Sequence, residues 1–330
     1  MGDPNSAASA MSAVIVGVES LDPTLAFFRD VVGLDAGPVT EWRGPAFETF
    51  WQLPEGASAR TVMLSRDGDD VGRVLLAEFE GGDRKPVRAE PFKPAIGYFN
   101  LNLYPFDMAA AMRDMERAGL RPWTEPMTLN LGEAAGSAEV VTLEGPDTTT
   151  MSLIHLLGDE STAIGRMRAY ASEHGRTRTG YSCIVTASQW VNDLDAATEF
   201  FSGVLGFTTE IDATNEYAAS AKLLRVPADS TRAIRVFKGR HMFGKVEILK
   251  LIGHELPSLE RTAKPPNYGT IAQCFDVEDG QRAEDRCREI GATVVSPLQT
   301  IDLPGIGSRR AFLVRSPGSG ALAVLYERPA

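Results

Sequence analysis

Apolar and polar positions along this chain alternate in short runs of strand and helix length. Residues 14–18 are apolar throughout, as a buried strand requires. Residues 23–32 carry apolar side chains at helical spacing, with Pro23 in the first turn and Gly33 as the stop. Residues 61–64 and 74–79 then read as strands. The order strand, helix, strands returns with a strand at 98–103, a helix at 108–118 stopped by Gly119, and strands at 139–143 and 151–156. It starts twice more, at 184–190 with a helix over 194–204, and at 270–275 with a helix over 282–290. The pattern predicts four βαβββ modules in series.

A fixed offset relates the modules. Phe27-Phe28-Arg29-Asp30-Val31-Val32-Gly33-Leu34 returns as Phe200-Phe201-Ser202-Gly203-Val204-Leu205-Gly206-Phe207, 173 positions later. Gly72-Arg73-Val74 returns as Gly244-Lys245-Val246 at 172, as do Gly81 as Gly253, Gly97 as Gly269, Asp107 as Asp279 and Gly119 as Gly291. Register held over so many segments marks a duplication. The expected halves are 11–157 (modules 11–90 and 94–157) and 180–328 (modules 180–255 and 266–328), joined by a polar linker at 158–179. Residues 1–10 are small and polar, lack the basic start and apolar run of a signal peptide, and read as an appended, non-native leader.

Composition removes several functions. Against 44 Asp and Glu stand 33 Lys and Arg, a net charge of −11, which opposes a general nucleic-acid footprint. No run approaches the roughly 18 to 20 apolar residues of a membrane span. Cys183, Cys274 and Cys287 are too few for a disulfide framework or a four-cysteine zinc site. The expectation is a cytoplasmic protein, monomer or homodimer, whose partner is a small molecule.

The two Phe-Phe-x-x-Val-(Val/Leu)-Gly helix endings, with the Gly145-Pro146-Asp147 and Ser316-Pro317-Gly318 turns before the last strands, resemble the vicinal oxygen chelate superfamily. That family includes glyoxalase I, bleomycin-resistance proteins and type I extradiol dioxygenases. The resemblance implies an α+β fold in which paired modules curl into two open β-barrel-like halves with helices outside. It also implies metal chemistry, in which a first-strand residue, often His, and a last-strand Glu hold a divalent ion. Carried over by position, the first-strand sites are Ala13, Asn100, Thr186 and Ala272, and the last-strand sites are Leu75, Ser152, Glu247 and Ala323. None is histidine, and only Glu247 is a ligand of the family type. The departure predicts a site with no metal and no cofactor.

Strand alternation points Thr186, Ser188, Trp190, Thr270, Ala272, Cys274 and Asp276 of the second half, and Tyr98, Asn100, Asn102 and Tyr104 of the first, toward the cavities. Of these, Thr186, Ser188, Trp190, Thr270, Cys274, Tyr98, Asn100 and Asn102 are the candidate substrate contacts. Glu247, within the apolar run 246–249, is the candidate base, because desolvation raises a carboxyl pKa toward neutrality; the alternative is a strand-edge Glu paired with Lys245 or Lys250. Asp276 is a candidate second acid, or a surface carboxylate near Asp279. Arg309, Arg310 and Arg315 on the last hairpin offer either a cationic edge to an anionic substrate or a solvated face. The expected function is metal-independent isomerase, lyase or cyclase chemistry on a hydrophobic, cyclic or aromatic molecule, sited in the second half. The alternatives are a non-catalytic binding protein for resistance or sequestration, and a divergent metal-dependent ring-cleaving dioxygenase.

Overall fold

The structure, a computed structural model, describes residues 8, 10–89, 93–133, 135–216 and 218–329. The first module comprises β1 (Met11–Gly17), α1 (Leu21–Ala26) continued by a π-helical turn over Phe27–Val31, β2 (Asp35–Ala36), β3 (Thr40–Arg43), α2 (Pro45–Trp51), β4 (Ser58–Ser65) and β5 (Arg73–Glu80). The second has β6 (Gly97–Leu103), α3 (Met108–Arg117), β7 (Met127–Asn130), β8 (Ser137–Glu144) and β9 (Thr150–Leu157), and is followed by α4 (Ala163–His174). The third has β10 (Thr186–Trp190), α5 (Leu194–Thr198) with a π-helical turn over Glu199–Val204, β11 (Thr208–Asn215), α6 (Ala218–Leu224), β12 (Arg232–Lys238) and β13 (Lys245–Leu251). The fourth has β14 (Gly269–Val277), α7 (Gly280–Glu289), β15 (Thr293–Leu303), β16 (Gly307–Arg315) and β17 (Leu322–Glu327). No helix among the described residues is long and apolar enough to cross a membrane.

Capping shows the duplication at the level of single bonds. The Asp107 carboxylate accepts from Ala110 N at the start of α3, and Asp279, at the repeat offset, accepts from Arg282 N at the start of α7. Three helices exceed the expected pattern. The polar linker holds α4, whose weak apolar periodicity hid it, and α2 and α6 sit where only strands were expected. Ala8 and Ala10, assigned to the appended leader, are fully buried in the core, and Ala8 N donates to Leu205 O at 2.8 Å. The rest of that leader, residues 1–7 and 9, lies outside the described residues.

Two curled sheets form as expected, but their membership differs from the expected halves. One sheet orders β15-β16-β17-β14-β1-β5-β4-β2, with β3 added on β4; the other orders β11-β12-β13-β10-β6-β9-β8-β7. The first module therefore shares a half-barrel with the fourth, and the second with the third. The joins are antiparallel pairs of first strands, Met11↔Phe275 to Gly17↔Gly269 for β1 and β14, and Thr186↔Asn102 to Trp190↔Gly97 for β10 and β6. One apolar core, including Val14, Val16, Phe28, Leu101, Leu103, Phe200, Phe201, Val246 and Ile248, receives the helix-facing sides of both sheets.

The sheets meet through two glycines of the repeat. Gly72 N donates to Met11 O and Gly72 O accepts from Ile184 N, while Gly244 O accepts from Met11 N and Lys245 N donates to Val185 O. Both glycines have positive φ, 65° and 70°. A Cβ on Gly72 would sit 2.3 Å from Ile184 O, and one on Gly244 2.6 Å from Met11 O. Each position thus requires glycine for its backbone angle and for the approach of another chain segment. We expect Gly72→Ala and Gly244→Ala each to destabilise the fold by roughly 3 kcal/mol, strain and backbone displacement combined. Gly119→Ala, at φ 74° with nothing within 4 Å of the added Cβ, should cost about 1 kcal/mol. Urea denaturation of the three variants checks the order; equal losses would remove the close-approach argument.

Candidate active site

The half-barrel of the first and fourth modules is filled by its own chain. Of its carried-over family ligand positions, Ala13, Leu75 and Ala272 line it and are apolar and buried, while Ala323 faces the helix-side core and the lining face of β17 is carried by Leu322 and Val324. Pro45 at the first turn of α2 and the spacing of Phe47, Phe50 and Trp51 place three aromatic rings on one side of a short helix. They pack with Trp42, Phe79 and the alanines Ala13, Ala57, Ala59, Ala77, Ala272 and Ala311 into one apolar cluster. Ring centroids lie 5.0 Å apart for Trp42 and Phe47 and 5.3 Å for Phe50 and Trp51.

The half-barrel of the second and third modules is different. The counterpart of α2 is α6, which brings Ala221, Leu223 and Leu224 in place of aromatics, and which reaches across to β7 and β8. Along β10 and β13 the sides opposite the helices carry Thr186, Ser188 and Trp190, and Lys245, Glu247 and Leu249. Thr186 faces Asn102 across the join, and Asn102 and Asn100 share that face with Ser152 of β9 and Thr142 of β8. These residues form a polar floor. Asn100 Nδ2 donates to Ser152 Oγ at 2.7 Å, and Ser152 and Thr142 hydroxyls are 3.1 Å apart.

Ser188, with no exposed surface, donates to Glu247 Oε2 at 2.5 Å. Burial pushes the Glu247 carboxyl above its ordinary range, and the Ser188 hydrogen bond opposes this only in part. The nearest cation on the strand, Lys245, is committed to Glu210 by an ion pair. Burial lowers the Lys245 pKa and the Glu210 pairing raises it back in part. Beside the polar floor stands an aromatic wall, with Phe99 5.7 Å from Trp190 and 6.3 Å from Trp123, backed by Leu249, Leu251, Ile234 and Leu224. Three buried polar atoms at this floor and wall have no partner among the described residues: Asn100 Oδ1, Asn102 Oδ1 and Trp190 Nε1.

The structure thus brings together Glu247, Thr186, Ser188, Trp190, Asn100 and Asn102, across the expected halves. It does not bring Asp276, Thr270 or Cys274 to them. Those three lie on β14 in the other sheet, where Asp276 is ion-paired with Arg328 and burial pushes the Cys274 thiol up to about 12. Tyr98 is also out of the cavity. A register shift between Ala187 and Gln189 turns it to the seam between the sheets, where its hydroxyl donates to Leu322 O at 2.5 Å and accepts from Gln273 N at 2.7 Å. The same shift admits Phe99, which simple alternation assigned to the helix side. Thr142 and Trp123 come from later segments of the second module, and no motif marked them.

A catalytic divalent ion does not fit either half-barrel. One set of positions is aliphatic; the other offers a single carboxylate with neutral oxygens, and its Ser188 hydroxyl and Asn100 amide already donate to Glu247 and Ser152. The histidines are elsewhere: His155 contacts Pro105 O, His241 accepts from its own loop at Phe243 N, His174 packs at a tilt against Tyr170, and His254 is exposed. No group of three or more His, Cys, Asp or Glu among the described residues is placed to hold a metal.

Comparison with known proteins agrees with this architecture. The sequence model of the Glyoxalase/Bleomycin resistance protein/Dioxygenase superfamily matches residues 184–321. Glyoxalase I from Zea mays superposes with a TM-score of 0.60 at 14% identity, over 96% of this chain and 92% of that one. A putative dioxygenase from Bacillus subtilis subsp. subtilis str. 168 superposes with a TM-score of 0.61 at 11% identity, over 98% of this chain and 86% of that one. At these identities the likeness is one of fold. No curated protein matches the chain.

The raised carboxyl has a thermodynamic consequence. Glu247 is protonated in both folded and unfolded chains below its ordinary value of 4.5, and as pH rises through the higher folded value its ionisation is disfavoured only in the folded state. We expect Glu247→Gln to gain stability relative to the native chain as pH rises from about 4.5 to 7, read from denaturation midpoints across that range. A gap that stays constant over the range would show that the carboxyl is not desolvated.

Proposed function

We propose that this chain is a member of the vicinal oxygen chelate superfamily whose half-barrel of the second and third modules binds a hydrophobic cyclic or aromatic small molecule and abstracts a proton from it with Glu247. The observation that carries this reading is the partly buried Glu247 carboxyl held by Ser188 between a polar floor and an aromatic wall. A flat ring gains contact area against Phe99 and Trp190. Its polar edge meets Asn100 and Asn102, whose unpartnered oxygens accept from a ligand hydroxyl or amide.

The step follows from these placements. Glu247, ionised, takes a proton from a carbon beside a ligand carbonyl, and the electron pair of the broken C–H bond moves into the carbonyl to give an enolate. Ser188 steadies the attacking carboxylate, and the unpartnered Trp190 N–H is a donor for developing negative charge. The proton returns from Glu247 to another carbon in an isomerisation, or to a leaving group in an elimination. A base whose pKa is lifted toward neutrality by burial is matched to this task near pH 7. No step requires a redox partner.

We expect Glu247→Gln to lower turnover by at least about a hundredfold while ligand affinity changes by only a few-fold. Steady-state kinetics and calorimetric binding, with cyclic and aromatic carbonyl compounds as probes, check both halves of the statement. A ligand that binds the native chain and is recovered chemically unchanged would replace the enzyme by a sequestering protein. Turnover unaffected by the substitution would remove Glu247 from the chemistry.

A further inference from the structure

Two arginines of the other half-barrel are unmatched by any acid among the described residues. Arg73 opens β5 opposite Ala13, on the face that also carries Leu75, and is only 9% exposed. Its Nε donates to Ser12 O at 3.3 Å and its Nη1 to Gly305 O at 3.4 Å, both long contacts to carbonyls, and it forms no ion pair among the described residues. Arg309 on β16 stands opposite Ile301 and shares the face of Ala311, both part of the apolar lining. Its Nη1 reaches only the neighbouring Ser308 O at 2.8 Å, and its Nε is buried with no partner.

Both guanidinium groups reach the segment 305–308, Arg73 at the turn itself and Arg309 at the first residues of β16. Gly305, whose carbonyl meets Arg73, closes against Met63 of β4, and Ser308 lies three residues on. The other cations around this end are matched, Arg328 with Asp276 and Arg310 with Glu327. The duplication supplies an internal control. Arg73 corresponds to Lys245, 172 positions on, and Lys245 is neutralised by Glu210. The first-module counterpart of Glu210 falls at Gly37 or Pro38, so the cation was kept and its carboxylate was not. Burying a guanidinium against carbonyls alone leaves its charge uncompensated, and a planar fork of donors matches an oxyanion.

We propose that Arg73 and Arg309 form a binding site for the oxyanion of a small molecule, a carboxylate or a phosphate, beneath the β15–β16 turn. The site is separate from Glu247 and does not rest on the function proposed for that residue. The anion supplies the charge that Glu210 supplies to Lys245, and it bridges β5 to the hairpin that closes the half-barrel. In a chain of net charge −11 such a site selects by geometry, because the overall field repels anions.

The test titrates the full chain with inorganic phosphate, and in a second arm with benzoate, at ionic strength held constant with chloride. The side-chain Nε resonance of Arg309 and the thermal midpoint are followed together. We expect a saturable shift of that resonance and a rise of the midpoint in at least one arm, and the arm that saturates at lower concentration identifies phosphate or carboxylate as the ligand group. Arg309→Met, at a partly exposed position, and Arg73→Met should each weaken binding by about tenfold or more. Arg310→Met, which removes a matched surface cation, should leave it unchanged. No saturable response of the native chain in either arm overturns the proposal, and so does binding to Arg309→Met as tight as to the native chain.

Discussion

The first strand of every module is an unfinished edge, and finishing it organises the molecule. Within a module β1, β6, β10 and β14 each pair on one side only, with β5, β9, β13 and β17. All four are buried along their whole length. A buried edge cannot leave its N–H and C=O groups to water, so another first strand must complete it. The chain satisfies this with β1 against β14 and β6 against β10, and those two pairings decide which concave faces become one cavity. The reciprocal contacts of Gly72 and Gly244 then lock the half-barrels together, at points where no side chain fits.

Duplication gave the chain two such cavities, and they have diverged in a physically legible way. Filling one with Phe47, Phe50 and Trp51 against a bed of alanines turns it into core. The other has the smaller residues of α6 in their place, and keeps Glu247, Asn100, Asn102 and Ser188 as a polar floor next to an aromatic wall. Buried polar atoms without partners are costly in a purely structural face. Asn100 Oδ1 and Asn102 Oδ1 are two such atoms on one floor, and the ligand site proposed there rests on them. The same reasoning separates Lys245, neutralised within the chain, from Arg73, which is not.

Much of this was legible without coordinates. The repeat, the four modules and the family resemblance were carried by spacings such as Gly72 to Gly244 and by the doubled Phe-Phe helix endings. Glu247 stood out because one carboxylate interrupts an apolar run. Asn100, Thr186 and Ser188 followed from strand alternation. Alternation failed at Tyr98 and Phe99, where a shift of register exchanges the faces. It also failed to exclude Thr270, Cys274 and Asp276, because adjacency in sequence suggested a partner module that the fold does not use.

What the sequence alone determined is what depends on neighbours along the chain: the modules from their periodicity, the helix ends from Gly33 and Gly119, and the absence of family metal ligands from residue identity. What only the tertiary structure decided is what depends on pairing at a distance. Whether β6 completes its edge with β1, β10 or β14 involves backbone groups that every residue carries, so side-chain pattern says little about the choice. The polar floor that holds Glu247 together with Asn100, and the half-barrel that carries both Arg73 and Arg309, exist only after that choice is made.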